Sequence, residues 1–547
     1  MRWVFGPLVA LIALLYIPFA EAADLPSAKP EEVGFSSERL ARAMGALKSD
    51  IDEGTIAGAV LLVARHGKIA YFEAAGLQDP ATKAPMTRDS IFRIYSMSKP
   101  IATVAAMMLA EEGKFLLADP VARTLPPLAD LKVGVEKTDP ATGAKTLELV
   151  PAQRPITIQD LMRHTSGLTY GFFGNTAVKK LYADANLFDG DFTNADLVER
   201  LAKLPLAYQP GTTWDYSHST DVLGRVIEVI SGQSLYDFEK ARLLEPLGMS
   251  DTSFYVTDKG KQARLAEPLP NDRNIGVGVD FFDPRIERKW QSAGGGMMST
   301  AMDYARFLQM MLNGGTLEGR RYLGARTVAY MTSDHLGGGI VPGPYYLPGP
   351  GYGFGLGFAV RRDQGVASTP GTPGDYYWAG AGGTYFWVDP KEDFFVVLMM
   401  QAPKNRNHYR ALLRDMIYAA LEKWPASAFG GPDPGPVKRP AAIHRDESAA
   451  DIARVRRRQE EREISDIGQR SHPPQRDTLY ESGLSLRACP REAAEAFGAF
   501  DRARRNRIDA NAVGAPFHGE HPHHLIEPGL GGAGMDLERH RIEGLGC

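Results

Sequence analysis

Cysteine is nearly absent from this chain. Its 547 residues include two, Cys489 and Cys547, and none in the first 480. The body therefore offers no thiol nucleophile and no disulfide framework, a composition compatible with an oxidising compartment. Charge of one sign is missing too. A formal net charge of −4 provides no field for a polyanion, and nucleic acid is not expected as a partner. The body has no His, Cys, Asp or Glu spacing of the metal-binding kind, so neither a metal nor a cofactor is expected. No G-x-S-x-G elbow is present, which removes the α/β-hydrolase version of serine catalysis. Internal repeats are not evident.

The one long apolar run lies at the start, in "MRWVFGPLVALIALLYIPFAEAAD". A single Arg precedes it and the small-residue site Ala20-Glu21-Ala22 follows. This is the pattern of a signal peptide, residues 1–22, so export to the periplasm or the exterior is expected. The run is barely long enough for an uncleaved anchor, and Pro18 with the small-residue site favours cleavage. No stable membrane anchor is expected after cleavage.

Residues 30–424 read as one globular unit. Helical periodicity ("SERLARAMGALKSDID", "TDVLGRVIEVISG", "AMDYARFLQMMLNGG") alternates with strand-like runs ("AGAVLLVARHGKIAYFEAAG", "YFWVDPKEDFFVVLMMQ"), the last with a hairpin signal at Asp389-Pro390. Mixed helices and hairpins predict an α+β fold, an antiparallel sheet packed with helices. The character changes after Trp424. A Pro/Gly linker, "PASAFGGPDPGPVKRP", leads into a tail with 17 Arg and a single Lys, against 25 Arg and 19 Lys before it. Residues 426–547 are expected to be largely disordered, with one charged helix at "AADIARVRRRQEEREISDI". So abrupt a shift also fits a read-through or frameshifted end. The tail histidines His518, His521, His523 and His524 read as solvated residues rather than a metal site.

Chemistry concentrates in "RIYSMSKPIATVAAMMLAEEGK", Arg93 to Lys114. Ser96 and Lys99 stand three apart where a strongly helical run begins, so they share a face. Pro100 suits a first helical turn. The positive end of the helix dipole disfavours a charged Lys there, and so does burial. A hydroxyl beside a neutral amine is an activated nucleophile, and backbone amides at a helix start can hold an oxyanion. Taken alone, S-x-x-K is a frequent chance pattern, and a surface Ser cap followed by a Lys gives it too.

Four further stretches follow in order: "ITIQDLMRHTSGL", "PGTTWDYSHSTDVLGRVIEVISG", "SAGGGMMSTAMDYARFLQMMLNGG" and "WAGAGGTYFWVDPKEDFFVVLM". With "FRIYSMSKP" they resemble the serine β-lactamase and penicillin-binding-protein superfamily, in its class C-like branch, which includes carboxylesterases. The resemblance spans roughly residues 30 to 420. It implies a β-lactamase/transpeptidase-like αβα sandwich with a helical subdomain. It also implies that Ser96 is the acylated nucleophile, Lys99 its proton partner and Tyr216 a proton shuttle. The backbone amides of Ser96 and Ala381 would form the oxyanion hole, and Gly380 would let the backbone approach the substrate.

Two departures from the pattern bear on substrate. His218 stands where the branch has the Asn of Tyr-x-Asn, as a substrate-side residue or a polar support. Trp378 stands where the superfamily has the cation or His that helps bind a substrate carboxylate, and an indole packs on acyl or alcohol groups instead. His164, in "RHTSGL", shapes a turn in this reading. Pocket walls are expected from "TYGFFGN", "VDFFDPRIERKW" and "GGGIVPGPYYLPGPGYGFG", although ordinary loop packing would use the same residues. The implied activity is hydrolysis of a small-molecule ester or amide, with a carboxylesterase on small or medium esters foremost. A β-lactamase or D-amino-acid peptidase on the same machinery, and an idle binding protein with the same fold, remain alternatives. Because the motifs close before Trp424, truncation after about residue 426 is expected to leave thermal stability and ester turnover nearly intact. An unfolded or inactive truncated protein would contradict this.

Overall fold

The computed structural model describes residues 24–188, 191–275 and 281–422. The signal-peptide reading of 1–22 and the tail reading of 426–547 concern residues outside that set. An eight-stranded sheet organises the described chain. Its strands are β1 (Gly58–Arg65), β2 (Lys68–Asp79), β3 (Ala84–Pro85), β4 (Tyr352–Phe354), β5 (Ala359–Arg361), β6 (Tyr376–Ala379), β7 (Tyr385–Asp389) and β8 (Phe394–Met400). They lie in the order β4-β5-β6-β7-β8-β1-β2-β3, and neighbouring strands pair antiparallel throughout.

Both strand-like runs expected from sequence form hairpins here. The β1–β2 turn places His66 and Gly67 at φ of 54° and 73°, the two left-handed residues that a tight turn between twisted strands requires. The β7–β8 connection likewise carries Asp393 at φ 51°. The first and last strands of the unit then meet at the sheet centre, where Ala59 to Arg65 pair with Met400 to Phe394.

Side chains alternate across a strand, and here both faces are covered. Val60, Leu62 and Ala64 of β1 join the core on one face, with Phe395, Val397 and Met399 of β8. Ala59, Leu61 and Val63 join the core on the other, with Phe394, Val396 and Leu398. Helices α1 (Ser37–Asp52) and α5 (Arg406–Ala419) cover the second face, through Leu40, Met44, Leu47, Leu413 and Ile417. On the first face lie α2 (Ser98–Glu111) and α4 (Ala301–Leu312). The helical patterns read at Ser37, Thr220 and Ala301 all fall in helices, and α3 (Ser219–Ser231) packs on α2 in the helical subdomain between β3 and β4. Among the elements not read from sequence are α5 and a hairpin formed by Lys132–Thr138 with Lys145–Pro151. That hairpin is mostly exposed, so burial leaves little apolar alternation to detect.

A sheet covered on both sides makes a specific demand. Leu61→Ala and Leu62→Ala point to opposite faces, yet each is expected to cost about 2–5 kcal/mol in urea unfolding, as for any buried Leu truncation. A near-neutral result for either would mean that its face is not packed.

Candidate active site

Ser96 does not lie in α2 itself. It sits in a 3-10 turn, Tyr95–Met97, that leads directly into the helix. Tyr95 holds a left-handed backbone, φ 44°, a costly conformation for a non-glycine residue that surrounding structure must enforce. The enforcement is visible. Ser98 Oγ donates to the Tyr95 carbonyl at 2.7 Å and accepts from the Met297 N–H at 3.1 Å. The Tyr95 ring meets Phe281 and Phe282 edge to face. Ser98, the other hydroxyl beside Lys99, is thus fully engaged in holding the turn.

Lys99 follows one turn later, 1 % exposed. Its Nζ lies 3.4 Å from Ser96 Oγ and 3.4 Å from Tyr170 Oη, and donates to the Gly294 carbonyl at 2.5 Å. It lies 4.5 Å from the centre of the Tyr216 ring. The S-x-x-K pair and the tyrosine of "YSH" therefore converge. Trp378 Nε1 donates to Tyr216 Oη at 3.3 Å.

The far wall comes from the end of β6. A Cβ on Gly380 would stand 2.4 Å from the Ile94 carbonyl and 2.2 Å from Thr384 Oγ1, so only glycine permits this approach to the segment bearing Ser96. From α5, Arg410 Nη2 holds the Gly380 carbonyl at 2.6 Å and Arg406 Nη1 holds that of Ala381 at 3.2 Å. The Ala381 N–H has no partner among the described residues.

His218 and His164 stand behind this wall. His218 is fully buried, its Nδ1 3.2 Å from Asp221 Oδ2 and its ring 4.5 Å from that of Tyr170. It supports Tyr170 and does not line the cavity, because the α3 N-terminus draws it inward to Asp221. His164, at φ 57°, packs on Tyr216 and Trp214. Burial, and then the Lys99 charge, push its imidazole well below the usual range, so it stays neutral. Burial raises the Tyr170 phenol well above its ordinary value, helped by Asp221 and Tyr216, and it stays a hydroxyl. Sequence reasoning missed Tyr170, Asp221 and Gly294. Tyr170 lay inside a quoted aromatic stretch, but nothing in its spacing pointed to Lys99.

A cavity of about 740 Å³ opens over Ser96. All three aromatic and glycine-rich stretches contribute to it, through Phe172 and Phe173, Phe281 and Trp290, and Leu347 and Tyr352. Trp378, Gly380 and Ala381 complete the wall. Of the two adjacent basic residues in "VDFFDPRIERKW", Arg288 lines the cavity, while Lys289 is exposed beside Asp191 at 3.5 Å. Arg406, Arg410 and Arg414 also reach the wall. Arg414 is paired with Asp375 at 3.1 Å. No group of three or more potential metal ligands occurs among the described residues.

Residues 38–420 match the Beta-lactamase family. The chain belongs to that family of serine hydrolases. Esterase EstB of Burkholderia gladioli is 32% identical over 391 residues, covering 67% of this chain and 92% of EstB. Protein Rv1367c of Mycobacterium tuberculosis is 36% identical over 360 residues, covering 64% of this chain and 87% of its own. Among solved structures, EstCE1, described as a hydrolase with promiscuous acyltransferase activity, superposes with a TM-score of 0.59 at 30% identity. It covers 70% of this chain and 98% of its own. The fold is thus the β-lactamase/transpeptidase-like one.

If Ser96 is the nucleophile of this family member, Ser96→Ala is expected to lower turnover on the order of 10⁴-fold or more. Lys99→Ala and Tyr216→Phe should each cost heavily, without adding to the Ser96→Ala loss. Steady-state kinetics on any turned-over ester checks this, and near-normal activity of Ser96→Ala would remove the mechanism.

Proposed function

We propose that this family member is an exported carboxylesterase acting on small or medium neutral esters through an acyl-enzyme on Ser96. Ser96 Oγ attacks the ester carbonyl as its proton passes to Lys99, and the carbonyl oxygen takes up negative charge facing the backbone amides of Ser96 and Ala381. The C–O bond to the alcohol breaks, with the proton returned to the leaving oxygen through Tyr216. Water, deprotonated by the same groups, then attacks the acyl-enzyme and releases the acid and free Ser96. Export rests on the pattern of residues 1–22 alone.

The observation that carries the ester reading is Trp378. It occupies the wall beside Tyr216 at the position where a cation would attract the carboxylate of a β-lactam or peptide C-terminus. Of the four arginines that line the cavity, three are committed elsewhere, and Arg288 is the one left to meet a carboxylate there. Arg406 and Arg410 are committed to the Ala381 and Gly380 carbonyls and Arg414 to Asp375. The aromatic walls favour an apolar acyl or alcohol group. Relatives named as esterase and hydrolase support the same choice.

A charge-assisted hydrogen bond is worth roughly 1.5–3 kcal/mol, or about one to two decades in specificity. The kcat/KM for p-nitrophenyl butyrate is therefore expected to exceed that for nitrocefin on the same preparation. An equal or higher value for nitrocefin would replace this reading with a β-lactamase. Failure of a fluorophosphonate probe to label the intact protein would instead favour an idle binding protein.

A further inference from the structure

Asp221 has no role in the motifs, yet its carboxylate is the anchor of the segment that carries the Lys99 acceptor. It lies in the first turn of α3, 1 % exposed. Oδ1 accepts from Ser292 Oγ at 2.6 Å and from the Gly294 N–H at 3.0 Å, and Oδ2 faces His218 Nδ1 at 3.2 Å. The Gly294 carbonyl in turn accepts from Lys99 Nζ at 2.5 Å. The contact with Gly294 is tight. A Cβ there would stand 2.7 Å from Oδ2 and 2.9 Å from Oδ1, so the carboxylate and the glycine are fitted to each other. Burial alone would raise this carboxyl. The hydrogen bond and charge of His218, followed by Lys99 and Ser292, more than offset it and hold the group below the usual carboxylate range. The carboxylate is thereby favoured over the neutral acid.

We propose that Asp221 is a positioning residue for proton transfer: it fixes Gly294 so that the Gly294 carbonyl holds Lys99 Nζ beside Ser96, and its charge offsets the cation formed when Lys99 takes the Ser96 proton. The inference rests on the Ser96–Lys99 reading above and extends it. A cation generated in a buried site needs a nearby opposite charge or the transfer is penalised. A base displaced by about an ångström loses rate on the order of 10²-fold without losing substrate affinity. His218 belongs to the same assembly, as the third group gripping the carboxylate.

The test uses the full chain and two readouts, the rate at which a fluorophosphonate labels Ser96 and steady-state kinetics on p-nitrophenyl butyrate. Asp221→Asn keeps the size of the group and removes its charge. Labelling rate and kcat are expected to fall about 10²-fold, with KM changed less than about threefold. In a Lys99→Ala background the same substitution should cost little more, because Asp221 acts through Lys99. A general loss of structure would instead multiply with Lys99→Ala. Gly294→Ala disturbs the same contact from the other side, should show the same kcat loss at unchanged KM, and decides alone if Asp221→Asn does not fold. Wild-type labelling rates in a folded variant, or losses that multiply, would overturn the proposal. Wild-type protein that does not label would remove the serine-hydrolase reading first, and this inference with it.

Discussion

A buried lysine is the constraint around which this site is organised. Taking an ammonium or amine out of water is tolerable only where other polar groups replace its hydration. Lys99 meets that need with the Gly294 carbonyl, Tyr170 Oη and Ser96 Oγ. Each partner has its own support. Gly294 is held by Asp221, Tyr170 lies against His218, and Ser96 sits on a turn held by Ser98. The site is thus a nested set of polar contacts in an aromatic surround.

The second organising feature is the seam between sheet and helical subdomain. Ser96 belongs to the helical side and the Gly380–Ala381 wall to the sheet side, and the two backbones approach closely. Thr384 Oγ1 donates to the Ile94 carbonyl at 3.2 Å, the Ile94 N–H donates to the Met297 carbonyl at 2.9 Å, and Gly380 leaves the gap that makes this possible. The α5 arginines brace the same strand end from behind. A site on such a seam is pre-organised by packing that also stabilises the fold, so little need be reordered when substrate enters.

Much of the fold was legible because its elements carry strong periodic signals. The α1, α3 and α4 patterns and both central hairpins repeat their apolar residues at the spacing that burial requires. The hairpin at Lys132 was not legible, since it is largely exposed, and α5 was passed over although its buried face is apolar. At the site, Ser96, Lys99, Tyr216, Trp378 and Gly380 were legible because each falls in a short motif of the sequence. Tyr170, Asp221 and Gly294 were not, because each acts through a contact with a residue far away in sequence: Tyr170 and Lys99 are 71 positions apart, and Lys99 and Gly294 are 195.

The sequence by itself determined which groups were available: a hydroxyl and an amine one helical turn apart, a tyrosine, an indole in place of a cation, and no thiol in the body. Local chemistry and short-range periodicity suffice for that, since they depend on neighbours along the chain. Only the tertiary structure decided what those groups face. It turned His218 inward to Asp221, set the Trp378 N–H on Tyr216, and engaged arginines that composition alone would leave free to bind substrate. The physical reason is that hydrogen-bond direction and desolvation depend on the partners that folding brings together, and those partners lie on elements that no local pattern connects.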